Sequence, residues 1–306
     1  MLTPTQSILK KAQRKGYAVG AFNINNMEIA QAVVEAAERE KAPILLQTSE
    51  GAIAYAGMGM LLSIGGMLAA RSRVPIALHL DHGKNVGLIQ EAIGAGYQSV
   101  MFDGSSLPYE ENVKTTKKLV AAAHKKKISV EAELGAIAGI EDFVSVTDRD
   151  AHLTDPEQAR AFVRETGCDF LAVAVGTAHG AYKFKTASRL DIARLQDIKK
   201  KVRVPLVLHG ASSVPGKVVR RIEKHGGSLG DARGVSDADL KKAIRAGIAK
   251  VNTDTDIRLA FTAGIRETLS KHPDYFDPRK IIKPAYEEMV AMVRWKIKLL
   301  GSSRHA

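Results

Sequence analysis

Cysteine is almost missing from this 306-residue chain: Cys168 stands alone, so no disulfide can form within it. A chain of this size without disulfides suits a reducing compartment, and the expectation is a cytoplasmic protein. Aromatic residues make up only 5%, with a single tryptophan, which argues against an aromatic-rich β-sandwich. Long apolar runs are missing too. No stretch reaches the ~18 apolar residues of a spanning helix, and the run from Met58 to Ala70 is short and rich in glycine and alanine. The opening MLTPTQSILKKAQRKG lacks the apolar core of a secretion signal and reads as a short amphipathic helix. No Pro/Ser-rich linker divides the chain, so one domain over 1–306 is expected.

What is present is apolar and basic. Apolar residues reach 45%, enough for a sizeable core, and 45 basic against 33 acidic residues give a formal charge of +12. Three readings of that charge are open: a nucleic-acid surface, attraction of an anionic metabolite, or solvated helix faces such as Lys125–Lys127 and Lys199–Lys201. No nucleic-acid motif accompanies the charge, so neither nucleic acid nor membrane is expected as a partner.

Eight β-like runs recur along the chain: 18–23, 43–48, 75–81, 98–103, 128–134, 170–176, 205–210 and 248–253. Between them lie patterns with apolar residues three and four apart, as from Met27 to Lys41 and from Asn112 to Lys126. Strand–helix alternation implies parallel strands joined by right-handed crossovers, and eight such units close into a (β/α)8 TIM barrel. The region from Asp256 to Leu300 exceeds one crossover helix, so extra C-terminal helices are expected. Two connections, Gly135–Asp155 and Gly226–Asp239, are long enough to read as lids or contacts between subunits.

Barrel chemistry sits where strands run out at their C-terminal ends. Strand three ends in Asp81-His82, strand six in GTAHG with His179, and strand seven in His209. Three imidazoles converging on one mouth suit Zn²⁺ with a fourth position open for substrate. Each histidine alone reads better as a helix cap or as a partner of a buried carbonyl; the three together read as ligands. His79, at the same strand parity as Asp81, reads as packing behind the mouth. Glycine-rich ends of strands six and seven offer backbone N–H groups to phosphate. Glu131 and Glu133 share one side of strand five, and Lys250 and Asn252 share one side of strand eight. Glu131 reads as an ion-pair partner of Lys250, and Glu133 as a second metal position or an orienter of a ligand histidine.

Six motifs in order, GAFNINNME, LDHG, VEAELG, GTAHGAYK, LHGAS and KVNTDTDIR, make the chain resemble the class II, metal-dependent ketose-bisphosphate aldolases over nearly its whole length. It is most similar to the compact fructose-bisphosphate subgroup. The resemblance implies His82, His179 and His209 as zinc ligands, with cobalt or iron as alternatives and a monovalent cation, Na⁺ or K⁺, alongside. It implies Asp81 as the proton shuttle at the C4 oxygen and Glu141, a single glutamate beside Ile140, as the carbon base. Asn252 would touch the enediolate. Gly180, Lys183, Gly210, Ala211 and Ser212, with Asn252, Thr253, Asp254 and Thr255, would hold phosphorylated substrate. Asp254 and Arg258 would meet the second half of a bisphosphate, with Ser49 as a further candidate at that end. Arg279 would arrive from a neighbouring subunit of a homodimer or homotetramer.

The chemistry is coherent beside the resemblance. Aldol cleavage leaves negative charge beside a carbonyl, which needs an electron sink. A Lewis-acid metal supplies one and a lysine Schiff base the other, with Lys250 as the candidate amine. Fructose 1,6-bisphosphate is the expected substrate. Tagatose 1,6-bisphosphate, a zinc hydrolase on the same barrel and a catalytically silent nucleic-acid-binding barrel are the alternatives.

Overall fold

Every one of the eight apolar runs forms a strand in the computed structural model. It describes residues 2–141, 144–146, 152–179, 190–229 and 233–306, with only the backbone at 138–141, 144–146 and 179. In chain order the strands are β1 (Val19–Asn23), β2 (Ile44–Thr48), β3 (Ile76–Gly83), β4 (Ser99–Phe102), β5 (Ser129–Leu134), β6 (Ala138–Glu141), β7 (Val144–Val146), β8 (Phe170–Val173), β9 (Ala178–His179), β10 (Leu206–Leu208) and β11 (Ile248–Thr253). Eight of them close a barrel in the order β1-β11-β10-β8-β5-β4-β3-β2, and every neighbouring pair is parallel. The other three form a small sheet, β7-β6-β9, at the strand ends. The Gly135–Asp155 connection therefore carries an antiparallel β6–β7 pair where the sequence suggested only a long loop.

The helices are α1 (Thr5–Lys15), α2 (Met27–Glu40), α3 (Glu50–Ala56), α4 (Met58–Arg71), α5 (Val86–Ala95), α6 (Tyr109–His124), α7 (Pro156–Thr166), α8 (Ile192–Lys201), α9 (Gly216–Lys224), α10 (Asp237–Arg245), α11 (Thr255–Lys271) and α12 (Pro278–Leu299). Local chemistry sets their ends. Asn26 caps α2 by accepting the Ile29 N–H. Asp155 caps α7 with Pro156 at its first turn, and Gly167 ends that helix at φ +69°. The extra C-terminal helices α11 and α12 cross closely, because Gly264 has no Cβ; one there would lie 2.4 Å from the Ala285 Cα. Among the described residues no single helix is long and apolar enough to cross a membrane; α3 and α4 are apolar together but meet at 97°.

Apolar packing divides into two bodies. One lies between the strands and the surrounding helices. The other fills the barrel's lower interior with Val19, Ala21, Leu45, Ala77, Met101, Phe170, Ala172, Val207 and Ala249, closed beneath by Ile8, Leu9 and Ala12 of α1. The amphipathic N-terminal helix is thus the barrel's floor. Above this apolar layer the inward positions turn polar.

Two register shifts shape that polar layer. Between β10 and β11 the pairing moves from Leu206↔Ile248 to Val207↔Lys250. Ala249 is the extra residue, so Ala249 and Lys250 both belong to the interior. Between β3 and β4 it moves from Leu80↔Val100 to Gly83↔Phe102, and His82 takes the left-handed φ of +46°. Strand alternation would send Asp81 and His82 to opposite faces. The bulge brings both to the mouth.

Candidate metal and substrate site

The site is built where β3, β4, β5, β10 and β11 end. Asp81 is 1% exposed. Its Oδ2 accepts from Asn23 Nδ2 (3.0 Å) and Gln47 Nε2 (3.1 Å), and its Oδ1 from Asn252 Nδ2 (2.8 Å). Amides from β1, β2 and β11 thus fix one carboxylate of β3 in a single orientation.

His82 and His209 meet edge to face, with ring centroids 4.5 Å apart and planes at 87°. The Nδ1 of His82 lies 3.2 Å from Asp103 Oδ2, and the Nε2 of His209 lies 2.8 Å from Glu131 Oε1. A carboxylate behind an imidazole holds the proton on that nitrogen and leaves the other bare. The remaining nitrogens, His82 Nε2 and His209 Nδ1, then face each other at 2.7 Å. Opposed lone pairs at this distance require a proton between them, which a metal ion bound by both nitrogens would displace.

The charges agree with that requirement. Burial disfavours the charged form of His82, but Asp81, Asp103 and Glu133 outweigh it and raise the imidazole well above its ordinary range. Burial acts against Asp103 too, yet the hydrogen bond and charge of His82 hold it below the usual carboxylate range. Glu133 is raised well above that range, by burial first and then by the like charge of Asp103. Its buried Oε2 has no hydrogen-bond partner and lies 3.8 Å from His82 Nδ1 and 3.9 Å from His209 Nδ1. Ligand atoms of Asp81, His82 and His209 gather within 4.8 Å, as do those of His82, Asp103 and Glu133. Two back-supported imidazoles, an unsatisfied carboxylate and a local excess of negative charge fit a divalent cation.

Beneath the histidines runs a buried polar chain. Glu131 pairs with Lys250 Nζ at 2.9 Å, as the sequence suggested. His79 Nδ1 meets Ser99 Oγ at 2.8 Å, and Ser99 Oγ meets Thr5 Oγ1 of α1 at 2.8 Å. Burial and then the Lys250 charge push His79 well below its ordinary range, so it stays neutral packing behind the mouth.

The rim is set by backbone. Gly210 has φ +59°, and a Cβ there would lie 2.6 Å from the Ala178 carbonyl oxygen, so only glycine lets β9 approach β10's end. Ala211 and Ser212 follow, both buried, and the Ser212 carbonyl accepts the Val235 N–H. Asp256 receives the N–H groups of Ser213 (3.0 Å) and Val214 (2.8 Å), while Lys296 Nζ of α12 reaches Asp256 (2.7 Å) and Ser213 Oγ (2.9 Å). Burial acts against charge on Asp256, but Lys296 and these N–H groups hold it below its usual range.

On β11's end, Asn252 Nδ2 also lies 3.4 Å from His209 Nε2, and the buried Asn252 Oδ1 and Thr253 Oγ1 have no hydrogen-bond partner. Asp254 and Arg258 form an ion pair at 2.7 Å on the first turn of α11, which begins at Thr255.

Other expected residues fall elsewhere. Ser49 caps α3 through the Ala52 N–H. Arg279 is 89% exposed and paired with Asp277, the cap of its own helix. The backbone of His179 pairs with Gly139, and that of Glu141 with Val144, while both side chains lie outside the described residues. Gly180 and Lys183 lie outside them entirely. Sequence reading missed Asn23, Gln47, Asp103, Asp256 and Lys296. The first three carry a usable signal, since each is polar, at an inward position at or beside a strand end. Asp103 and Glu131, rather than Glu133, back the two described imidazoles.

Comparison with known proteins completes the picture. The family model for "Fructose-bisphosphate aldolase class-II" matches residues 3–305. The chain is 52% identical to a fructose-bisphosphate aldolase of Thermus caldophilus, covering 99% of each. It is 45% identical to one of Helicobacter pylori, again over 99% of each. A crystal structure of a putative fructose-1,6-bisphosphate aldolase from Coccidioides immitis is similar with a TM-score of 0.83 at 29% identity, covering 98% of this chain and 96% of that one.

Proposed function

The chain belongs to the class-II fructose-bisphosphate aldolases, lyases that work with a divalent metal, and on that premise we propose that it cleaves fructose 1,6-bisphosphate reversibly to dihydroxyacetone phosphate and glyceraldehyde 3-phosphate. The reading takes 1–306 as one catalytic domain. The metal is zinc, in preference to cobalt or iron, held by His82, His179 and His209, with Glu133 at a second position. The observation that best supports it is the convergence of His82 Nε2 and His209 Nδ1 beside Asp81. When bound, zinc supplies a Lewis acid that polarises the ketone and stabilises the negative charge left by carbon–carbon cleavage.

The chain's own groups do the rest. Asp81, clamped by three amides, accepts the proton of the C4 hydroxyl as the bond breaks. Asn252 Nδ2 donates to Asp81 Oδ1 and lies beside His209, so this amide orients the base next to the metal site. Glu141 returns a proton to the carbon of the ketone half. Gly180, Lys183 and Gly210–Ser212, with Asn252–Thr255, hold the dihydroxyacetone phosphate half. Arg258, Ser49 and a neighbouring subunit's Arg279 meet the other, which is why a homodimer or homotetramer belongs to this reading. Exposed Tyr55, Met60 and Met67 on α3 and α4 supply apolar surface for such contacts. Lys250, buried and paired with Glu131, is engaged where a Schiff base would need it free.

A coupled assay with metal analysis tests the proposal. Chelation should abolish cleavage and zinc should restore it. Cleavage that survives chelation but is killed by borohydride with substrate would sink the metal route, and faster turnover of tagatose 1,6-bisphosphate would reassign the sugar.

A further inference from the structure

A cavity of about 1370 Å³ opens at the barrel end opposite the mouth. Its walls are the C-terminal end of α2, the C-terminal end of α4 and the end of α12 with the tail beyond it. The first two segments lead directly into β2 and β3, so the cavity lies at the start of those strands, and the mouth lies at their finish. The length of β3, roughly 25 Å, separates the two.

Seven basic side chains line this cavity against Glu38 and Glu40. Glu40 is already saturated: it accepts from Arg294 Nε (2.8 Å) and Ser303 Oγ (3.0 Å), with Lys298 Nζ at 3.4 Å. Arg39 is paired with Glu35. Among the described residues Lys41, Arg71, Arg73 and Arg304 make no ion pair. The helix macrodipole accounts for cations in a last turn, such as Arg71. It does not account for Arg73 and Arg304, which stand beyond the helix ends.

Two of these cations sit where the backbone favours glycine. Lys41 has φ +51° and Arg304 φ +64°. Both are fixed: Arg304 N–H donates to the Glu40 carbonyl (2.8 Å), and Ala306 N–H donates to that of Lys41 (2.9 Å). Long basic side chains are therefore held at conformationally costly positions around one cavity, in excess over its two side-chain carboxylates, Glu38 and the already engaged Glu40. Guanidinium groups pair with phosphate oxygens in a two-pronged fork, which suits several converging arginines to phosphate. The volume exceeds what one phosphate fills.

We propose that this cavity is a second anion site, separate from the catalytic mouth, for a small molecule carrying two or more phosphate groups. The test is calorimetric titration of the metal-loaded protein with tripolyphosphate at low salt, with dihydroxyacetone phosphate saturating the mouth. Tripolyphosphate should bind the wild type, and Arg71→Gln/Arg73→Gln should weaken that binding by about tenfold or more while leaving aldol cleavage unchanged. Arg304→Gln should weaken it by a smaller factor. Equal binding by wild type and double variant would overturn the proposal. So would a wild-type signal that vanishes once the mouth is filled, or duplex DNA that binds more tightly than tripolyphosphate through the same arginines.

Discussion

Among the described residues two lysines are wholly buried, each against a carboxylate, on opposite sides of the strand wall. Lys250 lies inside the barrel, 2.9 Å from Glu131, and Lys296 lies outside it, 2.7 Å from Asp256. A buried ion pair is poor evidence for stability, since desolvating two charges offsets most of their attraction. Each pair instead positions something. Glu131 turns its other face to His209 and fixes which imidazole nitrogen carries the proton it donates. Asp256 turns to the Ser213 and Val214 N–H groups and fixes the loop that follows the same histidine, including Val214 at φ +48°. The inner pair serves the metal and the outer pair serves the substrate loop. The same chemistry has two uses because one histidine joins a barrel interior to a surface loop.

That division can be broken by experiment. The largest effect belongs to the inner region. Asp81→Ala should lower kcat by about 10³-fold with metal content unchanged, measured by coupled assay and metal analysis; normal turnover would remove Asp81 from its role. Next, Lys250→Met strands Glu131 and should weaken metal affinity about 10- to 100-fold, read by competition with a chelator. If metal binding is unchanged, Glu131 does not act through His209.

Lys296→Met should do the converse. Metal affinity stays, KM for the bisphosphate rises, and unfolding in denaturant shows a loss of about 3–5 kcal/mol from the stranded Asp256. A fall in metal affinity instead would merge the two regions into one.

The smallest effect is expected at a partly exposed counterpart, Glu267, which Lys271 and Arg221 hold at a pKa of about 2. Its folded pKa lies below the unfolded one, so its contribution is present above the ordinary glutamate range and is lost as pH falls toward 2. With its side chain 23% exposed, solvent screening limits Glu267→Gln to about 1 kcal/mol or less at neutral pH. Denaturant unfolding at neutral and acid pH measures that difference, which should shrink on acidification.

Much of this was legible in the chain itself. Strand periodicity placed all eight barrel strands within three residues of their observed ends. The floor helix was visible as an amphipathic stretch, and the C-terminal helices as a helical region too long for one crossover. The hidden parts are tertiary. Asp81 and His82 are adjacent, and alternation forbids them one face; only the bulge opposite β4 allows it. Asp103 and Glu131 stand behind imidazoles that are far away in the chain. Lys296 stands among the cations of α12, yet it is fully buried, because its partner comes from α11. Strands β6, β7 and β9 are too short for periodicity to show, and β7 and β9 pair only with β6 between them.

Barrel closure also sets a timetable. The first strand pairs with the last, Val19 beside Lys250, and α1 packs its apolar face on an interior that both help to form. During synthesis β1 therefore waits for a partner made about 230 residues later, on the order of 10–50 s at ribosomal speed. For that interval an apolar strand edge and the underside of the floor helix are left for chaperones to cover.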